Sequence, residues 1–366
     1  MWVSKISAEN FRNLSLLDQQ LSEGINILYG DNAQGKTNIL EAVYFCAVGR
    51  SLRADNNREL VRFGSTEAHV QVDVNRDEYK FTVDAHIQLG GNKSIKTLSI
   101  DHVAVKNTRE LFGRLMVVLF SPEDLRLIKA GPAERRRFMD MEICQLSPVY
   151  YSDLRDYHRA LKQRNQLLKT LKRDRSQLDS LPVWDEQLNI NGCRIMQTRA
   201  AFISKISDIA TQIHKYITNG KEELVLTYQP SIQDPASYRK LMQQTQERDV
   251  SAGTTSIGIH KDDILFAING VPARSFGSQG QQRTAALSAK LAEIEIMRSS
   301  AKTTPVLLLD DVLSELDGNR QHFLLTQIDS LQTILTCTGL EDVITKSTSN
   351  ALIMQVKAGV VINHGT

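Results

Sequence analysis

Apolar residues alternate with polar ones at Ala68, Val70, Val72 and Val74, and again at Tyr79, Phe81, Val83, Ala85, Ile87 and Leu89. A period of two sets one face of an extended chain against a core. The two runs therefore predict an antiparallel hairpin, turned over residues 75–78 and followed by Gly90, Gly91 and Asn92. Two other apolar runs do not alternate: residues 25–29 and residues 306–309, the latter Val-Leu-Leu-Leu. They read as parallel strands buried on both faces. From residue 150 to about residue 219 the spacing becomes helical, with Leu154, Leu161, Leu168 and Leu171, a break at Ser180-Leu181-Pro182, then Leu188, Ile195, Ile203, Ile206, Ile209, Ile213 and Ile217. Two antiparallel helices explain it. Helical spacing recurs at Ile39, Leu40, Ala42 and Val43 and over residues 284–297, and residues 264–268 followed by Asn269-Gly270 predict a strand entering a hairpin turn. The whole is an α/β chain with an inserted, mainly helical segment.

What lies between the first buried strand and its helix changes the picture. Residues 30–37 read Gly-Asp-Asn-Ala-Gln-Gly-Lys-Thr, a P-loop in the strand-to-helix context that such a loop requires. Gly30 and Gly35 let the backbone curl so that the N–H groups of Asp31, Asn32, Ala33 and Gln34 face a phosphate, and the following helix adds its positive end. Lys36 is expected at the β and γ phosphates, and Thr37 at a magnesium ion. Chance gives this pattern in about one chain in a hundred of this length.

The strand at 306–309 delivers two acids, Asp310 and Asp311, to the carboxyl edge of a sheet, where ligands bind. Asp310 is expected to hold magnesium, mostly through water, and Asp311 to orient or deprotonate an attacking water, a role worth roughly a hundred- to ten-thousandfold in rate. A third element precedes the helix at 284–297. Residues 275–283, Ser-Phe-Gly-Ser-Gln-Gly-Gln-Gln-Arg, form a helix start suited to an anion, with Ser278, Gly280 and Gln281 as contacts. Because Lys36 already serves one side of the nucleotide, this second phosphate-facing helix end is expected to act in trans, in a dimer that sandwiches ATP.

Composition sets bounds. The 366 residues are 41% hydrophobic, enough for two cores, with no repeat and no Pro-rich linker between them. Cys46, Cys144, Cys193 and Cys337 form no CxxC or His-paired spacing and read as reduced, mostly buried residues. Residues 1–5 lack a signal-peptide core, and the longest apolar run, residues 115–120, is far too short to cross a bilayer, so a cytoplasmic protein without a membrane partner is expected.

The order P-loop, long insertion, Ser-Gln-Gly-Gln, then Leu-Leu-Leu-Asp-Asp-Val-Leu-Ser-Glu-Leu-Asp resembles the ABC ATPase heads of the SMC class, and specifically the RecF family of bacterial DNA repair proteins. The likeness spans the chain, taking in Asn10-Phe11-Arg12-Asn13-Leu14, residues 119–125, residues 135–140, and residues 264–276 before the Ser-Gln-Gly-Gln segment, which corresponds to the ABC signature. It implies an ABC-type head, a mixed central sheet with the P-loop plus an antiparallel β subdomain, carrying an inserted helical lobe. Residues 1–120 and 296–366 would form the ATP-binding lobe, and residues 121–295 the second lobe, with a helical hairpin at about 150–219. Arg12 and Asn13 would touch the nucleotide from the N-terminal strand, and residues 314–317 correspond to the D-loop. Departures from the general ABC pattern imply slow hydrolysis: Asp311 where Glu is usual, Gln279 for the first signature glycine, and residues 336–338 where a switch histidine is usual. Glu123 or Asp124 stands at the place of the Q-loop glutamine. His260 lies between Ile259 and Lys261 where the family has Pro and Arg, and both a structural and a functional role remain open.

Net charge is only +2, from 44 basic and 42 acidic side chains, so any phosphate backbone must be met by patches. The stretch from 151 to 175 carries eight basic residues, Arg155, Arg159, Lys162, Arg164, Lys169, Lys172, Arg173 and Arg175, against three acids. Arg155, Arg159 and Lys162 are the candidate DNA contacts, and Arg135, Arg136 and Arg137 a second patch; a solvated helix face or pairing with nearby acids explains either equally well. No base-reading motif accompanies them. Two function classes follow. One is a switch in which ATP and Mg2+ close a homodimer on double-stranded or gapped DNA, the family implying work with RecO and RecR to load recombinase. The other is an enzyme proper, an ATPase domain of an overcoming-lysogeny-type nuclease or another P-loop enzyme, which calls for a further acidic cluster or acceptor pocket that no segment is left to house.

Overall fold

The computed structural model describes residues 1–54, 56–91, 93–301, 303–328, 330–339 and 351–363. Two compact units emerge, Met1–Asp124 with Met297–Thr366, and Leu125–Ile296.

The first unit holds two six-stranded sheets. One is antiparallel, in the order Leu14–Gln20, Trp2–Phe11, Glu67–Arg76, Tyr79–Gly90, Lys93–Ile100, Val103–Ala104. The alternating runs form its centre, with Val72 opposite Val83 and Val74 opposite Phe81. The strand Lys93–Ile100 leaves only Leu98 buried, so it carries no alternation that sequence could show. The other sheet runs Val360–Asn363, Leu352–Lys357, Ile25–Tyr29, Thr333–Cys337, Val306–Asp310, Val117–Phe120, and its last five strands are mutually parallel. Parallel pairing puts the carboxyl ends of Ile25–Tyr29, Val306–Asp310 and Thr333–Cys337 on one edge.

Helix Lys36–Val48 packs against strands of both sheets. That position explains why it is buried nearly all round, including Glu41 at 0% exposure. A carboxylate there must be paired. Arg12 supplies the pair, with Nε and Nη2 on Glu41 at 2.9 and 3.1 Å. Buried Gln332 ties the two sheets: its Oε1 accepts from the Val3 N–H at 2.6 Å, and its Nε2 donates to Val3 O and Ser22 O.

In the second unit, helices Pro148–Leu171 and Leu181–Ile217 lie side by side. Tyr150 meets Arg199, Asp153 meets Arg194, and Arg164 meets Asp185, a descending register that makes them antiparallel. Leu168, Leu171, Leu181 and Val250 close the end of this hairpin. A three-stranded antiparallel sheet, Val271–Pro272, Asp263–Ile268, Leu224–Gln229, completes the unit with helices Pro132–Leu146 and Tyr238–Ala252. Its tight turn falls on Asn269 and Gly270, both at positive φ (50° and 79°), as a two-residue hairpin loop of this hand demands.

Candidate functional site

The P-loop wraps the amino terminus of helix Lys36–Val48 with three residues at positive φ: Gly30 at 150°, Ala33 at 63° and Gly35 at 109°. A side chain at Gly30 would run into Val356 O, and a Cβ at Gly35 would lie 2.8 Å from Asn13 Oδ1. Glycine at these two positions is therefore fixed by close approach as well as by conformation. The loop is tied from outside, since Gln34 accepts the N–H of Ala358 on Oε1 (2.6 Å) and that of Gly359 on its carbonyl (2.8 Å). Lys36 is 7% exposed, and its Nζ spans the loop to Gly30 O at 2.5 Å and Asp31 O at 2.8 Å.

The acidic strand end meets this loop across 273 residues of sequence. Thr37 Oγ1 donates to Asp310 Oδ1 at 2.6 Å, and Thr336 Oγ1 donates to the same oxygen at 3.0 Å. The Thr336 hydroxyl in turn accepts the Asp311 N–H at 2.9 Å, and Asp311 sits at φ 53°, which swings its backbone out of the strand. These groups line a cavity of about 170 Å3 together with Asn32 to Lys36, Asn38 and Arg53. Sites for whole small molecules run to roughly 300–1,000 Å3. The cavity thus suits the phosphate end of a nucleotide. A hydroxyl and a carboxylate facing it are the hard oxygen donors that magnesium takes.

Arg12 and Asn13 lie against the P-loop and the helix that follows it. Neither lines this cavity. All three Arg12 nitrogens are engaged, two on Glu41 and Nη1 on Glu59 O at 3.0 Å, so the guanidinium braces the helix. Asn13 buttresses the loop, accepting from Asn38 Nδ2 at 2.7 Å and reaching Ala33 O at 3.5 Å. Asp124 turns its carboxylate back onto the Ser121 N–H at 2.7 Å, and neither it nor Glu123 lines the cavity. Arg53 and Thr336 are residues that sequence reading missed as contacts of Asp310; Arg53 follows the helix cap Gly49 in a segment with no motif of its own.

In the second unit, Ser278 and Gln281 open helix Gln279–Ala301 as a reciprocal capping box. Ser278 Oγ accepts the Gln281 N–H at 3.2 Å, and Gln281 Oε1 accepts the Ser278 N–H at 2.8 Å. Gln281 Nε2 goes to Glu222 at 3.0 Å, so its amide is engaged inside the protein. Ser278 and Gln279 are exposed.

The basic helix sorts by geometry. At about 3.6 residues per turn, Arg155, Arg159, Lys162 and Lys169 share one stripe, opposite Tyr157, Ala160, Arg164, Leu168 and Leu171. The first four are exposed and the last five buried. Arg164 is therefore removed from the surface patch: it pairs with Asp185 at 2.6 Å and Asp249 at 2.8 Å. Arg135 leaves the second patch likewise, 4% exposed and forked onto Asp263, while Arg136 donates to Asp262 O.

His260 is held between Tyr157 OH, 2.9 Å from Nδ1, and Thr255 O, 3.1 Å from Nε2. A carbonyl only accepts, so Nε2 carries the proton and Nδ1 takes the tyrosine hydrogen. Burial pushes the imidazole down to about 4 from 6.5. Between these values the unfolded chain binds the extra proton. The contribution is present above pH 6.5 and is lost as pH falls toward 4, about 2–3 kcal/mol in all. Urea unfolding at pH 7 and pH 4.5 should show a drop of that size beyond what His260→Gln shows; equal drops would exclude His260 as its source.

A family model, the RecF/RecN/SMC N terminal domain, matches residues 2–361. The DNA replication and repair protein RecF of Lachnoclostridium phytofermentans is 46% identical over 99% of each chain, and the protein of that name from Lachnospira eligens is 45% identical over the whole of both. A solved structure of the recombination mediator protein RecF with ATP, in the RecFOR pathway, is 33% identical at a TM-score of 0.91, covering 100% of this chain and 98% of that one. The Smc head of Pyrococcus furiosus, 16% identical at 0.56 over 98% and 95%, shares the fold alone. The architecture is that of an ABC-type ATPase head with a helical insertion.

Proposed function

The chain belongs to the RecF family of DNA replication and repair proteins, and from that premise we propose that it is an ATP-dependent DNA-binding switch of recombinational repair and replication restart. The observation that carries the reading is the 2.6 Å bond from Thr37 to Asp310, which joins the P-loop to the acidic strand end around one phosphate-sized cavity. The loop N–H groups and Lys36 would hold the triphosphate of ATP, with Thr37 and Asp310 placing Mg2+, which supplies charge neutralisation there. Asp311 would orient the attacking water. Its shorter side chain fits a weak, DNA-stimulated ATPase in which hydrolysis times a conformational state. The nuclease alternative finds no support in relatives that share this chain's full length under the one name.

ATP would close a homodimer in the cytoplasm, each copy offering Ser278, Gly280 and the helix start behind them to the other's nucleotide. The ligand favours this state only to the extent that it binds it better than the monomer, and about 5.5 kcal/mol of such preference takes the dimer from 1% to 99%. The exposed stripe of Arg155, Arg159 and Lys162 would meet the backbone of double-stranded or gapped DNA. The RecFOR pathway named for the solved relative supports RecR and RecO as partners in recombinase loading.

Sedimentation with ATP, ADP and gapped duplex tests the scheme. The parent should dimerise with ATP and not with ADP. Ser278→Arg should bind ATP as a monomer, and a normal dimer from that variant would refute the trans arrangement. Alanine at Arg155, Arg159 and Lys162 should keep the dimer and reduce the slope of DNA affinity against log salt by about 2–3 units. An unaltered slope would move DNA to another face.

A further inference from the structure

Asp310 carries a cation of the chain's own. Arg53 Nη2 lies 2.9 Å from Asp310 Oδ2, on the oxygen that Thr37 and Thr336 leave to it. The guanidinium is half exposed and lines the same cavity as the P-loop, while the carboxylate is nearly buried. Its backbone is fixed from below. Ser51 Oγ accepts the N–H groups of Arg53 and Ala54, at 3.0 and 2.7 Å, and donates to Glu41 Oε1 at 2.5 Å. Glu41 in turn is the buried partner of Arg12 on the nucleotide-binding helix. A chain of polar contacts, Arg12 to Glu41 to Ser51, thus aims Arg53 at the metal ligand.

We propose that Arg53 is a positioning residue that competes with the divalent cation for Asp310, so that metal binds more weakly ahead of nucleotide than together with it. The inference rests on the ATP and metal reading above. A magnesium ion, or a water it holds, needs a carboxylate lone pair at close range. The Oδ2 lone pair facing Arg53 is directed at an N–H, and a guanidinium beside a dication is repelled. One oxygen cannot hold both cations closely. A triphosphate changes the balance, because it brings negative charge for the displaced arginine as well as ligands for the metal. The pair is half open to solvent, so screening limits the competition to a several-fold effect.

The probe is Mn2+ titrated by electron paramagnetic resonance into the full-length protein without nucleotide. Arg53→Ala should bind Mn2+ about three- to tenfold more tightly than the parent. Arg53→Lys, which restores the charge, should return close to the parent value, and Ser51→Ala should fall between. Should Arg53→Ala fail to fold, Arg53→Gln takes its place. Mn2+ affinity unchanged or weakened on loss of Arg53, with Asp310→Asn still weakening it, overturns this inference and leaves the metal reading standing. If Asp310→Asn has no effect on Mn2+, both fall.

Discussion

Replacing Lys36 with alanine is expected to cut ATP affinity at least a hundredfold while the fold survives. The lysine is 7% exposed, and its ammonium spans the loop mouth between the carbonyls of Gly30 and Asp31. Those carbonyls can turn to water in an open cavity, so the folded state loses little. A bound triphosphate loses more. Hydrogen bonds to charged groups contribute about 1.5–3 kcal/mol each, and two of them, to the β and γ phosphates, amount to a factor of a hundred or more. Equilibrium dialysis with labelled ATP measures the affinity, and thermal unfolding checks the fold. ATP-dependent association should vanish with it. Retained affinity would mean that residues 30–37 are an ordinary turn.

The nucleotide-facing edge was readable because its residues obey local rules. A buried parallel strand is nearly all apolar, so Ile25–Tyr29 and Val306–Asp310 announce themselves, and the loop between strand and helix needs glycine where φ is positive. Alternation revealed the hairpin Glu67–Arg76 and Tyr79–Gly90 for the same reason. What stayed hidden depends on pairing across the fold. Arg53 reaches Asp310 over 257 residues, and no spacing encodes that. Arg164 looks like any other cation in a basic helix. Only the helical phase, which puts it in line with Tyr157, Ala160 and Leu168, shows that it points inward.

Buried Asp262 and partly buried Asp140 belong with these hidden pairs, and they carry a second large effect. Arg199→Leu is expected to destabilise the unit Leu125–Ile296 by about 3–5 kcal/mol, the usual cost of removing one partner from a buried ionic network. Arg199 is 1% exposed. It forks onto Asp140 at 2.8 and 3.0 Å, meets Asp262 Oδ2 at 2.8 Å, and donates to Ile259 O at 2.8 Å. Asp262 also takes the Tyr228 hydroxyl and the Ser231 N–H. Leucine would leave the carboxylate buried without its cation. Burial already pushes the Asp262 carboxyl up, against the pull of Arg199. Without that pull the folded protein should hold a proton there that the unfolded chain, near 3.8, has released. Stability is then present at low pH and lost as pH rises, so the deficit relative to the parent should be larger at pH 7 than at pH 4.5. Urea unfolding at both values reads it, and Arg199→Leu combined with Asp262→Asn should recover part of the loss. Because residues 259–262 lead directly into strand Asp263–Ile268 and on to Ser278, the single variant should also lose ATP-dependent association while ATP binding at the P-loop persists. A deficit below about 1 kcal/mol, the range of an exposed ion pair, would show that the network contributes nothing beyond surface electrostatics.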